Sequence, residues 1–197
     1  QRIWSLSQSE DGSIWIGTAR GVARYKAGKL LADANLIPEQ SVLSLAETPQ
    51  GDVLMGTYSS GVFQYSNGKL TKLLDRNSGL LSNEVRAILP LQDGSIWLGT
   101  AQGLNHYQAQ QMQSYTTREG LTADFVVALH KIGDVLWIGT GTGVTRLIKG
   151  KFEPLSLSEL DQTEYAFDFF EQAEQKLLWL ATDRGLVRYR LDTAELS

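Results

Sequence analysis

The sequence predicts an all-β fold, a β-propeller of four-stranded antiparallel blades, with five blades present. Three observations predict it. One phrase is written five times within 197 residues. Its spacing is regular and matches the length of a blade. Turn-forming Gly, Asp and Asn residues divide each period into short apolar runs, as hairpins require.

The phrase reads IWIGTARGVARY at residues 14–25 and VLMGTYSSGVFQY at 53–65. It returns as IWLGTAQGLNHY at 96–107, LWIGTGTGVTRL at 136–147 and LWLATDRGLVRY at 178–189. The glycine before the threonine marks the register. Gly17, Gly56, Gly99 and Gly139, with Ala181 in the last copy, stand 39, 43, 40 and 42 residues apart. A four-stranded propeller blade takes about 40–45 residues. Helical repeats of similar length need long stretches with a 3.6-residue period, which this chain lacks.

Each period parses into strands. The first is an apolar run at 3–6, 42–45, 85–89, 126–129 and 167–170. A tight turn follows at Asp11-Gly12, Gly51-Asp52, Asp93-Gly94 and Gly133-Asp134, with a weaker Gln175-Lys176 in the fifth copy. The IWIGT element is the second strand. A loop ending at Gly21, Gly61, Gly103, Gly143 or Gly185 leads to the third. A polar turn such as Ala27-Gly28 or Asn67-Gly68 then leads to a short fourth strand, expected in the last copy near Leu196. The blades fall at about 1–34, 35–75, 76–117, 118–157 and 158–197, one propeller domain.

The repeated slots have physical reasons. Trp15, Leu54, Trp97, Trp137 and Trp179 should pack between neighbouring blades, where an aromatic ring buries about 150–250 Å². The glycine two residues on marks a point where another backbone passes close. The Tyr closing the third strand (Tyr25, Tyr65, Tyr107, Tyr189) alternates with polar neighbours. Because each sheet buries both faces, no blade is stable alone.

These residues resemble the two-component regulator propeller repeat, whose pattern is Leu/Ile-Trp-Ile-Gly-Thr, a short loop, then Gly-Leu/Val-x-Arg-Tyr. The copies at 15–25, 97–107 and 179–189 match it closely. The second substitutes Leu54 and inserts a loop residue, the fourth ends in Leu147, and the fifth carries Ala181. The connector GLxxxxV also appears, at 79–85 and 120–126. The resemblance implies a seven-bladed array, within the range of about 4–8 blades that propellers adopt. It implies the extracytoplasmic, periplasmic sensor region of a membrane-bound bacterial receptor, with a histidine kinase or diguanylate cyclase downstream and, in several members, oligosaccharide as the signal. The chain starts at Gln1 with no leader, and no blade is split between its ends. The expectation is therefore a partial propeller cut from a longer array, with a closed five-bladed ring as the alternative. Open blade faces would favour self-association.

Composition removes several functions. Lys plus Arg is 18 against 22 acidic residues, a net charge of −4, which is not the footprint of a nucleic-acid binder. There is no cysteine, which excludes disulfides and thiol chemistry. No apolar run reaches the ~20 residues of a membrane helix. GTGTG at 139–143 sits between two strands, whereas a dinucleotide loop must open a helix, so no cofactor is expected. His106 occupies a third-strand slot that elsewhere holds Arg24, Gln64, Arg146 and Arg188, and reads as a solvated strand position. His130 reads as a rim or half-buried residue. Two histidines with no third do not make a zinc site. Asp161, Glu164, Asp168, Glu171 and Glu174 share one region, where glycosidase-like paired acids are conceivable.

If the chain binds a ligand, recognition residues should vary while structural slots repeat. The loops between second and third strands and the connectors into first strands lie on one face. Their variable positions are Arg20, Tyr58, Ser59, Gln102, Thr142, Asp183 and Arg184 in the loops, and Asn83, Glu84, Asp124 and Glu164 in the connectors. Tyr58 and the arginines suit a sugar or an anion. The reading is a non-enzymatic ligand-sensing module. The alternatives are a propeller-based glycoside hydrolase or lyase, and a structural interaction scaffold.

Overall fold

A computed structural model describes residues 2–31, 36–37, 39–155 and 165–195. Five antiparallel sheets follow one another along the chain as propeller blades. The first contains β1 (Ile3–Gln8), β2 (Ile14–Thr18), β3 (Gly21–Lys26) and β4 (Lys29–Leu31). The second contains β5 (Val42–Glu47), β6 (Val53–Thr57), β7 (Val62–Ser66) and β8 (Lys69–Leu74). β9 (Val85–Pro90), β10 (Ile96–Thr100), β11 (Gly103–Gln108) and β12 (Gln111–Tyr115) form the third. β13 (Val126–Ile132), β14 (Val135–Thr140), β15 (Gly143–Ile148) and β16 (Lys151–Pro154) form the fourth. The fifth has three strands among the described residues, β17 (Ala166–Gln172), β18 (Leu177–Thr182) and β19 (Gly185–Arg190). The fourth strand expected near Leu196 lies outside the described residues. The chain divides into two compact units, Gln1–Ser114 and Tyr115–Ser197.

Within each unit the joint between successive sheets is built from the repeated phrase. In the first unit Trp15 is 2 % exposed, and its ring meets Tyr65 of the next sheet edge-on at 5.3 Å between centroids. Val22, Val42, Val53 and Met55 fill the space around it. At the next joint Leu54 takes the tryptophan's place against Leu98, Ile96 and Tyr107. In the second unit Trp137 meets Tyr189 at 5.1 Å, over Val144, Phe169, Leu178 and Leu180. Such aromatic pairs add about 0.5–1.5 kcal/mol beyond the area they bury. The closing tyrosine is thus the partner of the preceding sheet's tryptophan, a role its alternation with polar neighbours did not reveal. Tyr25, in the first described sheet, is 42 % exposed.

The glycine slot is a close backbone approach. A Cβ built on Gly56 would lie 2.8 Å from the carbonyl oxygen of Val85, which opens the next sheet's first strand. On Gly17 it would lie 2.7 Å from the Val42 carbonyl. On Gly139 it would crowd the Ala166 carbonyl in the same way. Ala181, in the fifth sheet, follows no such requirement, since no further sheet is described after it.

Every first strand is interrupted by a bulge near its start, at Trp4, Arg86, Val127 and Phe167, and at Leu43 in the second sheet. A bulge adds one residue to one strand and re-aims its side chain. The five residues differ in chemistry although the backbone irregularity is the same.

The turn after β17 departs from the others. Ala173–Gln175 forms a 3₁₀ turn closed by Lys176 at φ 51°. This replaces the Gly-containing turns of the other sheets and accounts for the missing turn signal in the sequence.

Candidate functional site: the loop face

The loops between second and third strands share one support. The threonine of each phrase donates its hydroxyl to the carbonyl of the loop glycine: Thr18 to Gly21, Thr57 to Gly61, Thr100 to Gly103, Thr140 to Gly143 and Thr182 to Gly185. The same oxygen accepts a backbone N–H inside the loop, from Arg20, Ser60, Gln102, Thr142 and Arg184. One buried hydroxyl therefore fixes the loop's shape without constraining which side chains it carries.

In the first unit these loops join the strand connectors through backbone hydrogen bonds. Ala19 N–H donates to the Arg2 carbonyl and Gly21 N–H to the Gln40 carbonyl. Tyr58 N–H donates to Ser41, Gly61 N–H to Asn83 and Ala101 N–H to Glu84. The loops of the first two sheets are thus tied both to their own sheet's entry and to the next sheet's, and the third loop to its own sheet's entry. The result is a continuous rim spanning three sheets. Its side chains are Arg2, Arg20, Tyr58, Ser59, Glu84 and Gln102. Tyr58 is 56 % exposed. Ser59 donates to Gln40 Oε1 at 2.9 Å. Just inside the rim, Arg2 lies over the ring of the bulge residue Trp4 at 4.6 Å, and the Trp4 ring is half exposed. The next bulge arginine, Arg86, pairs with Glu84, its Nε at 2.7 Å from Oε1.

Asn83 and Asp124 have structural employment. Asn83 Oδ1 accepts the Arg76 N–H at 2.8 Å, and Asp124 Oδ1 accepts the Thr117 N–H at 2.7 Å. Both hold the GLxxxxV connectors in the same shape. Gly79 (φ 99°) and Gly120 (φ 117°) turn those connectors, and buried Leu80 and Leu121 anchor them. Asn105 Oδ1 and Thr145 Oγ1 accept the N–H groups of Leu81 and Thr122. The carboxylate of Glu119 accepts the N–H and the hydroxyl of Thr116, which hold its pKa below the usual carboxylate range. The buried Asn105 was the sequence signal for this arrangement, a polar residue in an apolar slot of the third strand.

In the second unit the rim is different. Gly141 N–H donates to the Phe125 carbonyl, and Thr142 Oγ1 donates to the Thr122 carbonyl at 3.0 Å. Three aromatic rings gather here: Phe125 meets Tyr165 edge-on at 6.3 Å, and Tyr165 stacks on the bulge residue Phe167 at 5.6 Å, with 13° between their planes. Tyr165 and Phe167 are 39 % and 52 % exposed. Asp183 and Arg184 are exposed on the loop of the fifth sheet. Glu164 lies outside the described residues, as does Asp161. Trp4, Arg86 and the aromatic trio were not singled out from the sequence, because a one-residue slip inside an apolar run leaves no compositional mark.

The third-strand slot of His106 is not a solvated face, and that expectation is corrected. His106 is half-buried and stacks on Trp97 at 4.0 Å with 15° between planes. Desolvation pushes its pKa below the ordinary imidazole value, against the opposing pull of Asp93. Arg24 lies over Trp15 at 5.0 Å and Arg146 over Trp137 at 5.7 Å, so the slot selects a flat or cationic group over the tryptophan. His130 Nε2 lies 3.3 Å from Glu171 Oε2 on the adjacent first strand. Asp168 accepts the Phe169 N–H at 2.9 Å. Asp168 and Glu171 are three residues apart on β17 and leave opposite faces of the sheet, so they do not form a catalytic pair. Among the described residues, no three His, Cys, Asp or Glu side chains come together in a metal-holding group.

A cavity of about 500 Å³ opens at the opposite end of the first strands of the first unit, lined by Gln8, Glu10, Leu45, Glu47, Ile88 and Pro90 among others. Glu10 N–H donates to Glu47 Oε2 at its edge.

The two-component regulator propeller model matches residues 1–20 and 79–102. Over those two segments the chain is similar to the two-component regulator propeller family. The fold comparison is consistent with that similarity. The extracellular domain assigned to one hybrid two-component system of B. thetaiotaomicron superposes with a TM-score of 0.81 at 23% identity, over 100% of this chain and 27% of that one. A second such domain from the same organism gives 0.84 at 20% identity, over 99% and 28%. The repeat-bearing chain thus spans little more than a quarter of those domains. Virginiamycin B lyase from Staphylococcus aureus gives 0.74 at 14% identity, over 100% of this chain and 69% of the lyase. The same fold therefore serves an enzyme as well, and fold alone does not choose the function. No curated protein sequence matches the chain.

Proposed function

We propose that this chain is a ligand-sensing propeller segment of a membrane-bound bacterial receptor, working outside the cytoplasm and performing no chemistry of its own. One observation carries the reading: the supports of the loop face repeat, and the side chains displayed on it do not. Thr18, Thr57, Thr100, Thr140 and Thr182 make the same bond in all five sheets. The residues they present are Arg20, Tyr58, Ser59, Gln102, Thr142, Asp183 and Arg184. A surface built this way is suited to recognition, because specificity can change without disturbing the core. The similarity to extracellular receptor domains supports the setting.

On this reading the ligand is a small molecule or an oligosaccharide, held by the loop side chains with Glu84 of the connector. A kinase or cyclase domain elsewhere in the full receptor reads out the binding. Incubation of the purified chain with oligosaccharide libraries tests it. The expected result is saturable binding with the ligand recovered unchanged. Release of a cleaved product would replace this reading with that of a carbohydrate-active enzyme.

A further inference from the structure

We propose that Phe125, Tyr165 and Phe167 form a stacking platform for a flat, uncharged six-membered ring, such as the apolar face of a pyranose or a planar aromatic group. The proposal rests on the reading of the loop face as a ligand surface, and adds a site that the variable-loop logic did not select.

Four features of the second unit lead to it. The first is exposure without need. Large aromatic rings are normally buried, yet Tyr165 and Phe167 lie together on the loop face, well exposed. The second is order. Tyr165 and Phe167 are nearly parallel, and Phe125 abuts Tyr165 edge-on, so the rings brace one another as a prepared surface rather than three independent side chains. The third is presentation. Phe167 is the bulge residue of β17, displaced from the strand's regular alternation. Gly141 borders the rings: a Cβ there would lie 3.5 Å from both Phe125 and Tyr165, so a larger residue would wall them off.

The fourth feature sets the ligand's chemistry. The loop that carries Gly141 offers neutral hydroxyls, while the charged Asp183 and Arg184 stand on the loop of the fifth sheet. Thr142 Oγ1 donates to the Thr122 carbonyl, and Thr122 Oγ1 shares a hydrogen bond with Thr140 Oγ1 at 2.7 Å. Aromatic faces next to neutral donors and acceptors match a ligand with one apolar face and uncharged polar edges.

The test is a titration of the whole chain, followed by calorimetry and ligand-observed saturation-transfer NMR. The probes are neutral methyl pyranosides and oligosaccharides, indole, and a hexuronate. Expected is binding of a neutral pyranoside or of indole, with the two arms identifying the source of the ring. Tyr165→Ala and Phe167→Ala should each weaken it about tenfold. Phe167→Tyr should restore it, and Tyr25→Ala, at an exposed ring away from the loop face, should leave it unchanged. Unaltered thermal unfolding of the exposed-ring variants excludes misfolding as the cause. Neutral-ring binding undiminished in Phe167→Ala and Tyr165→Ala would overturn the platform while leaving the sensor reading in place. Binding of the hexuronate alone would overturn it equally. Failure of every probe to bind the unaltered chain would overturn both.

Discussion

The loop faces of the two units stand on the same scaffold and carry different side chains. In residues 2–114 the rim displays Arg2, Arg20, Tyr58 and the Glu84–Arg86 pair, with Arg2 resting on Trp4. In residues 115–195 it displays Phe125, Tyr165 and Phe167 beside threonine hydroxyls. Beneath both, a tryptophan meets the next sheet's tyrosine at nearly the same separation, 5.3 Å in one unit and 5.1 Å in the other. A glycine beside it admits the next sheet's carbonyl, and a threonine closes the loop. Selection on stability acts on the joint, and selection on recognition acts on the rim. The two are separable because the loop threonine holds its turn through backbone groups alone.

Substitutions can break that separation or sharpen it. The largest effect is expected at the joints. Trp15→Ala and Trp137→Ala should each cost about 3–5 kcal/mol in urea unfolding. Trp179→Ala should cost less than half as much, because Trp179 is only half-buried. A full-sized loss at Trp179 would mean its face is covered in solution. Next, Gly139→Ala forces a Cβ against the Ala166 carbonyl and should cost about 1–3 kcal/mol. The reverse change in the matching slot, Ala181→Gly, should cost no more than about 1 kcal/mol, the conformational penalty of glycine in a strand. Comparable to Gly139→Ala, Thr18→Val and Thr140→Val each remove a buried hydroxyl that serves two backbone groups, and should cost about 1–3 kcal/mol. At the rim, Tyr58→Ala and Phe167→Ala should stay within about 0.5 kcal/mol of the parent.

A pH effect should appear at His106. Its folded pKa lies below the ordinary imidazole value of 6.5, so the unfolded chain takes up the proton first. Its contribution to stability is therefore present above that value and is lost as pH falls through the window just beneath it. The loss levels off once the folded form also protonates. NMR titration of the His106 ring, beside urea midpoints measured across the same window, checks both the shift and its sign. His106→Gln should abolish this component.

Much of the scaffold was legible because repetition exposes it. Gly17, Gly56 and Gly139 announced a close backbone approach, and a carbonyl oxygen stands opposite each of them. The closing tyrosines were visible as a repeated slot, but their partners were not, since the contact runs 50 residues back along the chain, from Tyr65 to Trp15. The bulges were invisible: a slip of one residue within IWSL or AFDFF changes no count of apolar residues, yet it decides where Trp4 and Phe167 project. Variation alone does not separate a structural side chain from a displayed one. Asn83 and Asp124 differ in identity and still do the same structural work, because either side chain supplies the oxygen that accepts an N–H seven residues earlier in the chain. His106 misled in the other direction. A slot that accepts Arg, Gln and His looks solvated in sequence, whereas Arg24, His106 and Arg146 each lie over a tryptophan.

The claim at the centre of this account is that the loop face, supported by the repeated threonines, is the working surface. Backbone chemical-shift mapping during titration with a bound oligosaccharide tests it most directly. The account predicts shifts concentrated at the loop-face residues, around Tyr58 in one unit or around Thr142, Tyr165 and Phe167 in the other. Shifts centred instead on the cavity at the opposite strand ends, around Glu10, Glu47 and Pro90, would contradict it.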